Sequence, residues 1–150
     1  MLSNNDLHSA LRSTSSRHDA LVKKFNEFSR LVEATVTPEQ FPVPNIEFER
    51  ELAAKNGFAL TFAGRKIYFI FRSGITPPNT TVRGHVDCYL SPDFPREEVD
   101  HLGGFSFKPN GETDMQDPET EDQLFLDWDE SALHISLHFI HESLLLDVER

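Results

Sequence analysis

HISLHFIHE, residues 134–142, holds three histidines and a glutamate in nine positions. Read as a helix, it sets His134, His138 and His141 on one side, where they could share a metal ion. Read as a strand, it turns them apart. Across 132–139 the sequence alternates, with Leu133, Ile135, Leu137 and Phe139 on one side and His134, Ser136 and His138 on the other. That is the period of a half-buried strand. A helix would instead carry two apolar stripes on opposed sides, one with Leu133, Leu137, Ile140 and Leu144, the other with Ile135, Phe139 and Leu146. Such a helix needs burial on both sides. The alternation therefore predicts a strand, paired in a hairpin with QLFLDW (123–128) across Asp129, Glu130 and Ser131. His134 and His138 then lie about 13 Å apart, too far for one ion with metal–nitrogen bonds of about 2 Å. No metal site and no cofactor is expected.

A second hairpin is read from FALTF (58–62) and KIYFIFR (66–72), both alternating. Gly64 can supply the positive φ of a two-residue turn. With Gly64 and Arg65 in the turn, Phe62 faces Ile67, Leu60 faces Phe69 and Phe58 faces Phe71, all on one side of the sheet. Tyr68 and Ile70 on the opposite side suggest a strand covered on both faces.

Leu7, Leu11, Leu21, Phe25, Phe28 and Val32 follow the three-and-four spacing of a helical stripe, interrupted at Thr14 and His18. Ser16 with Asp19, and Ser3 with Asp6, have the form of helix starts. A helix over about 16–35 is expected, with a looser helical segment inside 1–15. Three prolines make 36–45 an extended connector. Asn45 then resembles a cap for a second helix, IEFERELAAK, closed by Asn56 and Gly57. VRGHVDCYL (82–90) and GFSFK (104–108) read as strands, and SPDFPREEVDHLGG (91–104) as a turn with one helical turn in it. PNGETDMQDPETED (109–122) reads as a surface loop. The expected fold is α+β: amino-terminal helices packed on a mainly antiparallel sheet of five to six strands built from hairpins, as a single globular domain over 1–150.

Composition narrows the function. Twenty-five acidic residues against 14 basic give a formal net charge of -11, a field that repels nucleic-acid phosphates and anionic membranes. Cys88 stands alone, which excludes an intrachain disulfide or a cysteine-based zinc cluster. No secretory leader pattern opens the chain and no apolar run is long enough to span a bilayer, so a cytoplasmic protein is expected. Phosphate-binding glycine loops and the serine-hydrolase elbow are missing. His85 and Asp87 share one face of their strand while Cys88 points to the other, so they form no nucleophile–base pair. Arg65, Lys66, Arg72 and Arg83 gather near the first hairpin, where the protein's own carboxylates can pair with them.

These features favour a small acidic protein without catalytic activity that binds a basic protein partner, in an inhibitor, immunity or chaperone-like role. Glu112, Asp114, Asp117, Glu119, Glu121 and Asp122 would steer the partner, and an exposed aromatic would anchor it. The first helix offers a seam for a homodimer. The alternative is a ligand binder or enzyme with a phenylalanine-lined pocket between helix and sheet, where Tyr68, His134 and His138 supply the polar groups.

Overall fold

The computed structural model describes residues 1–50, 56–91 and 99–145. Its elements run in the order α1 (Asn4–Val36), β1 (Glu47–Glu49), β2 (Gly57–Phe62), β3 (Arg65–Gly74), β4 (Arg83–Leu90), β5 (Asp100–Phe107), β6 (Glu112–Gln116), β7 (Gln123–Phe125) and α2 (Asp129–Ser143). The strands lie in one sheet in sequence order, and every neighbouring pair is antiparallel. The fold is α+β, with seven strands rather than five to six.

The β2–β3 hairpin forms where the alternation places it, with its turn one residue earlier. Phe62 pairs with Arg65, Leu60 with Ile67 and Phe58 with Phe69. Ala63 and Gly64 occupy the turn at φ 52° and 77°, the pair of positive angles that a type I′ turn requires. Relative to the expected pairing the register is shifted by two residues. A shift of two preserves the side on which each residue falls, so Phe58, Leu60, Ile67, Phe69 and Phe71 still share the buried face.

One continuous helix replaces the two segments expected before residue 36. Ser3 caps it by accepting from the Asp6 amide at 3.2 Å, whereas Ser16 is passed through as an interior residue. Only the second half of the stripe is buried: Leu21, Phe25, Phe28, Val32 and Val36 pack on the sheet, while Leu7 and Leu11 face solvent. Asn45 is no helix cap, because its φ is 67°, away from the extended geometry of an N-cap. Residues 47–49 are strand β1, whose Phe48 stacks on Phe58 at 5.3 Å. The remainder of the expected second helix, 51–55, lies outside the described residues, as does 92–98, the centre of the segment expected to hold a helical turn. The loop expected over 109–122 contains strand β6, paired with β7.

The main correction concerns 132–139, which is helical and belongs to α2. Its buried face is Ser131, Ala132, Ile135, Ser136, Phe139, Ile140 and Ser143, a three-and-four repeat in which serines stand where apolar residues would be sought. Ser136 and Ser143 return their hydroxyls to the carbonyls of Leu133 and Ile140 within the helix, so their burial leaves no donor unsatisfied. Small side chains also let α2 approach its neighbours closely. Ile135 and Phe139 of one expected stripe are buried, Ile140 of the other is buried as well, and Leu133 and Leu137 pack half-buried against the core, so α2 is covered along both lines up to the exposed Leu144.

Both helices lie on the same face of the sheet. Phe28 of α1 and Phe139 of α2 each meet Phe69 and Phe105, with ring centroids 6.0–6.5 Å apart. The core is a layer of aromatic rings: Phe58 stacks on Phe69 at 4.7 Å and Phe25 on Phe71 at 5.3 Å. Tyr68 and Ile70, on the other face of β3, remain half-buried, and among the described residues no helix covers them. Among the described residues the far side of the sheet is therefore an open surface.

Candidate functional site

Two surfaces carry the polar and aromatic groups not consumed by the core. The first is the acidic end of the molecule, where β6 and β7 meet the start of α2. Asp117 opens the hairpin connection. Its Oδ1 accepts from the amides of Glu119 and Thr120 at 2.8 and 3.1 Å, and its amide donates to the Asp122 carbonyl at 2.9 Å. The amide of Glu119, then that of Thr120, holds the Asp117 carboxyl below its ordinary pKa. Glu121 closes the turn at φ 64°.

The six acidic residues singled out in the sequence therefore divide by role. Glu112 pairs with Lys108 at 3.1 Å, Asp114 accepts the Ser106 amide at 3.0 Å, and Asp117 shapes its own turn. Glu119, Glu121 and Asp122 are exposed at the tip. Beside them stands a residue not singled out beforehand. Trp128 is 54% exposed and lies flat on Phe125, 4.1 Å between centroids. Phe125 in turn faces Glu112 across the β6–β7 ladder. Asp129 and Glu130 follow in the first turn of α2, where negative charge meets the positive end of the helix. The signal for it in the sequence is DWDE, a tryptophan between carboxylates, which a strand over 123–128 conceals.

Below this patch Lys24 of α1 reaches Asp127 at 3.1 Å and Glu27 at 3.4 Å. Burial draws the Lys24 pKa down, but the hydrogen bonds and charges of Asp127 and Glu27 together outweigh it and leave it above the ordinary value. A Cβ on Gly111 would lie 2.6 Å from Asp127 Oδ1, and Gly111 has φ +93°. Only glycine suits that position, and the ion pair moors the acidic end to α1.

The second surface is the open face of the sheet, where the register lays side chains in ranks. Tyr68, Tyr89 and His101 form one rank, Ile70, Asp87 and Gly104 the next, and Arg72, His85 and Ser106 the third. Asp87 binds Arg72 Nε at 2.8 Å and lies 3.4 Å from His101 Nε2. Lys66 pairs with Glu49 at 2.6 Å and lies over the Tyr68 ring. Three of the four basic residues read as a cluster are thus on this face, with Arg72 and Lys66 held by the protein's own carboxylates. Cys88 is fully buried on the opposite side, and burial, with a smaller contribution from the Asp87 charge, raises its thiol pKa well above the usual value.

The groups of the alternative pocket do not converge. Tyr68 belongs to the open face, whereas His134 and His138 lie on α2 across the sheet, and the rings between them are packed against one another. The helix does align His134, His138 and His141 on one side. His138 and His141 are exposed, and among the described residues no three histidine, cysteine or acidic side chains gather as metal ligands. No helix of the described residues is long and apolar enough to cross a membrane. Compared with known proteins, the chain matches no family model, no curated protein and no solved structure.

Proposed function

We propose that the protein is a non-enzymatic binding protein that docks a basic protein partner at the acidic end formed by β6, β7 and the start of α2. The observation that carries this reading is Trp128, a large aromatic left half-exposed on a supporting ring and bordered by Asp129 and Glu130. Tryptophan concentrates binding energy when a partner desolvates it, and surrounding charge sets the encounter rate. Glu119, Glu121 and Asp122 supply that charge at the hairpin tip, on a turn that Asp117 keeps in shape. Glu112, Asp114 and Asp117, engaged by Lys108, the Ser106 amide and the turn amides, add to the field without making this contact.

The net charge of -11 supports the same choice of partner and argues against binding nucleic-acid phosphates. Homodimerisation through α1, where it occurs, has only Leu7 and Leu11 at its disposal, because the rest of the stripe is buried on the sheet.

The test is affinity capture from the natural host on immobilised protein, with Trp128→Ala and the triple variant Glu119→Gln, Glu121→Gln, Asp122→Asn alongside. A partner of basic surface should be held by the wild type. Trp128→Ala should weaken it by roughly 2 kcal/mol or more, as for a central aromatic anchor. The triple variant should slow association at low salt and little at high salt. A partner that binds all three proteins alike, at rates indifferent to salt, would remove this surface from consideration.

A further inference from the structure

The sheet forks between β5 and β6. The two strands share only the pairing of Phe107 with Thr113; β6 then turns to β7, with Gln116 opposite Gln123. At the fork the Ser106 amide is met by the side chain of Asp114, whose Oδ1 lies 3.0 Å away. Backbone groups alternate in direction along a strand. The amide and carbonyl of Gly104, two residues back from Ser106, therefore face the same side, where β6 offers no ladder partner. Gly104 is exposed.

A groove of about 490 Å³ opens here, lined by Gly104, Ser106, Asp114 and Asp87 and, toward the start of β4, by His85 and Arg83, so its carboxylates lie at the Gly104 end. The outer edges of the sheet, β1 and β7, are three residues long each, which blunts them against further pairing. The edge of β5 inside the fork lacks that protection.

We propose that this edge of β5 accepts an extended polypeptide segment bearing lysine or arginine, by strand addition opposite Gly104. Backbone pairing with the Gly104 groups that β6 leaves without a ladder partner would give the segment its register. Its side chains on the open face then meet carboxylates. Gly104 has no side chain, and none can be added, since a Cβ would lie 2.4 Å from the Val86 carbonyl oxygen. A long cationic side chain opposite it meets no Gly104 side chain on the way to Asp87, its neighbour on β4, while Asp114 flanks the next place along the strand at Ser106. Asp87 keeps Arg72 and His101 as partners, so Asp114 carries most of the selectivity. This surface is separate from Trp128 and goes beyond the docking reading: either can fail without the other.

The probe is the capped pentapeptide acetyl-Thr-Lys-Val-Lys-Thr-amide, titrated to millimolar concentration into the full-length, isotope-labelled protein and followed by amide NMR shifts. The expected result is saturable movement of the Gly104, Phe105 and Ser106 amides, with slowed hydrogen exchange at Gly104. N-methylation of both lysines, whose amides would face β5, should abolish binding, whereas N-methylation of the valine, which faces away, should not. Asp114→Asn retains the acceptor for Ser106 and removes the charge; it should weaken the peptide about three- to tenfold, the size of one partly screened charge pair. Trp128→Ala should leave the affinity unchanged. Absence of shifts at Gly104, equal binding of the lysine-N-methylated peptide, or shifts confined to the surroundings of Trp128 would each overturn the proposal.

Discussion

Two single residues show how burial and hydrogen bonding set chemistry. Cys88 is enclosed by the core and its thiol is raised well above the usual pKa, chiefly by that enclosure. Because the thiolate is the reactive form, Cys88 should ignore a disulfide reagent at pH 8 in the native protein and react once denaturant opens the fold. Reaction of the folded protein at the rate of a free cysteine would contradict that burial. Asp117 is the opposite case, with its carboxyl held low by the amides of Glu119 and Thr120. A depressed native pKa stabilises the fold above the ordinary aspartate value of about 4, and that contribution is lost as pH falls through the native pKa. The stability difference between the wild type and Asp117→Ala should therefore be largest near neutrality and shrink on acidification. Urea denaturation at several pH values measures it, and a difference that grew toward acid would reverse the assignment.

At the level of elements, the hairpin β2–β3, strand β4 and the buried half of α1 were legible in the sequence. In each, apolar residues repeat at one period without a competing one. Strand β1 and helix α2 were misread for the same reason in opposite directions: IEFEREL and ALHISLHF each satisfy both periods. In α2 the deciding residues were Ser131, Ser136 and Ser143, which are polar in composition but buried in fact. Short hydroxyl side chains that bond to their own helix carry no polarity to the surface, so a pattern drawn from hydrophobicity counts them on the wrong side. Ser136→Val should accordingly cost about 1–3 kcal/mol by overfilling a closed site, while His138→Ala should change stability by less than about 0.5 kcal/mol. Chemical denaturation distinguishes this from a strand, on which Ser136 would face outward and valine would be tolerated. The acidic residues of the candidate site were likewise legible as a group. Their division into structural and exposed members was not, because it depends on which amides each carboxylate meets.

For the molecule as a whole, the seven strands follow one another across the sheet in sequence order, while α1, which precedes the strands in the chain, and α2, which follows them, share one face of it. The helix α1 extends about 50 Å and the longest strand, β3 with 10 residues, about 33 Å. The amino-terminal turns with Leu7 and Leu11 thus run beyond what the sheet can cover. The nearest-neighbour order of the strands has a further consequence, in time rather than in space. Each hairpin closes a short loop, and contacts local in sequence form early. The pairing of Lys24 with Asp127, by contrast, joins residues 103 positions apart, and Phe139 reaches back to Phe69. Pulse-labelled hydrogen exchange during refolding should therefore find the amides of β2, β3 and β4 protected before those of α2; simultaneous protection would mean that the sheet does not persist without its last helix. In the order of synthesis, the chain would assemble its sheet strand by strand against α1 and leave the aromatic layer open on one side until α2 arrives to close it.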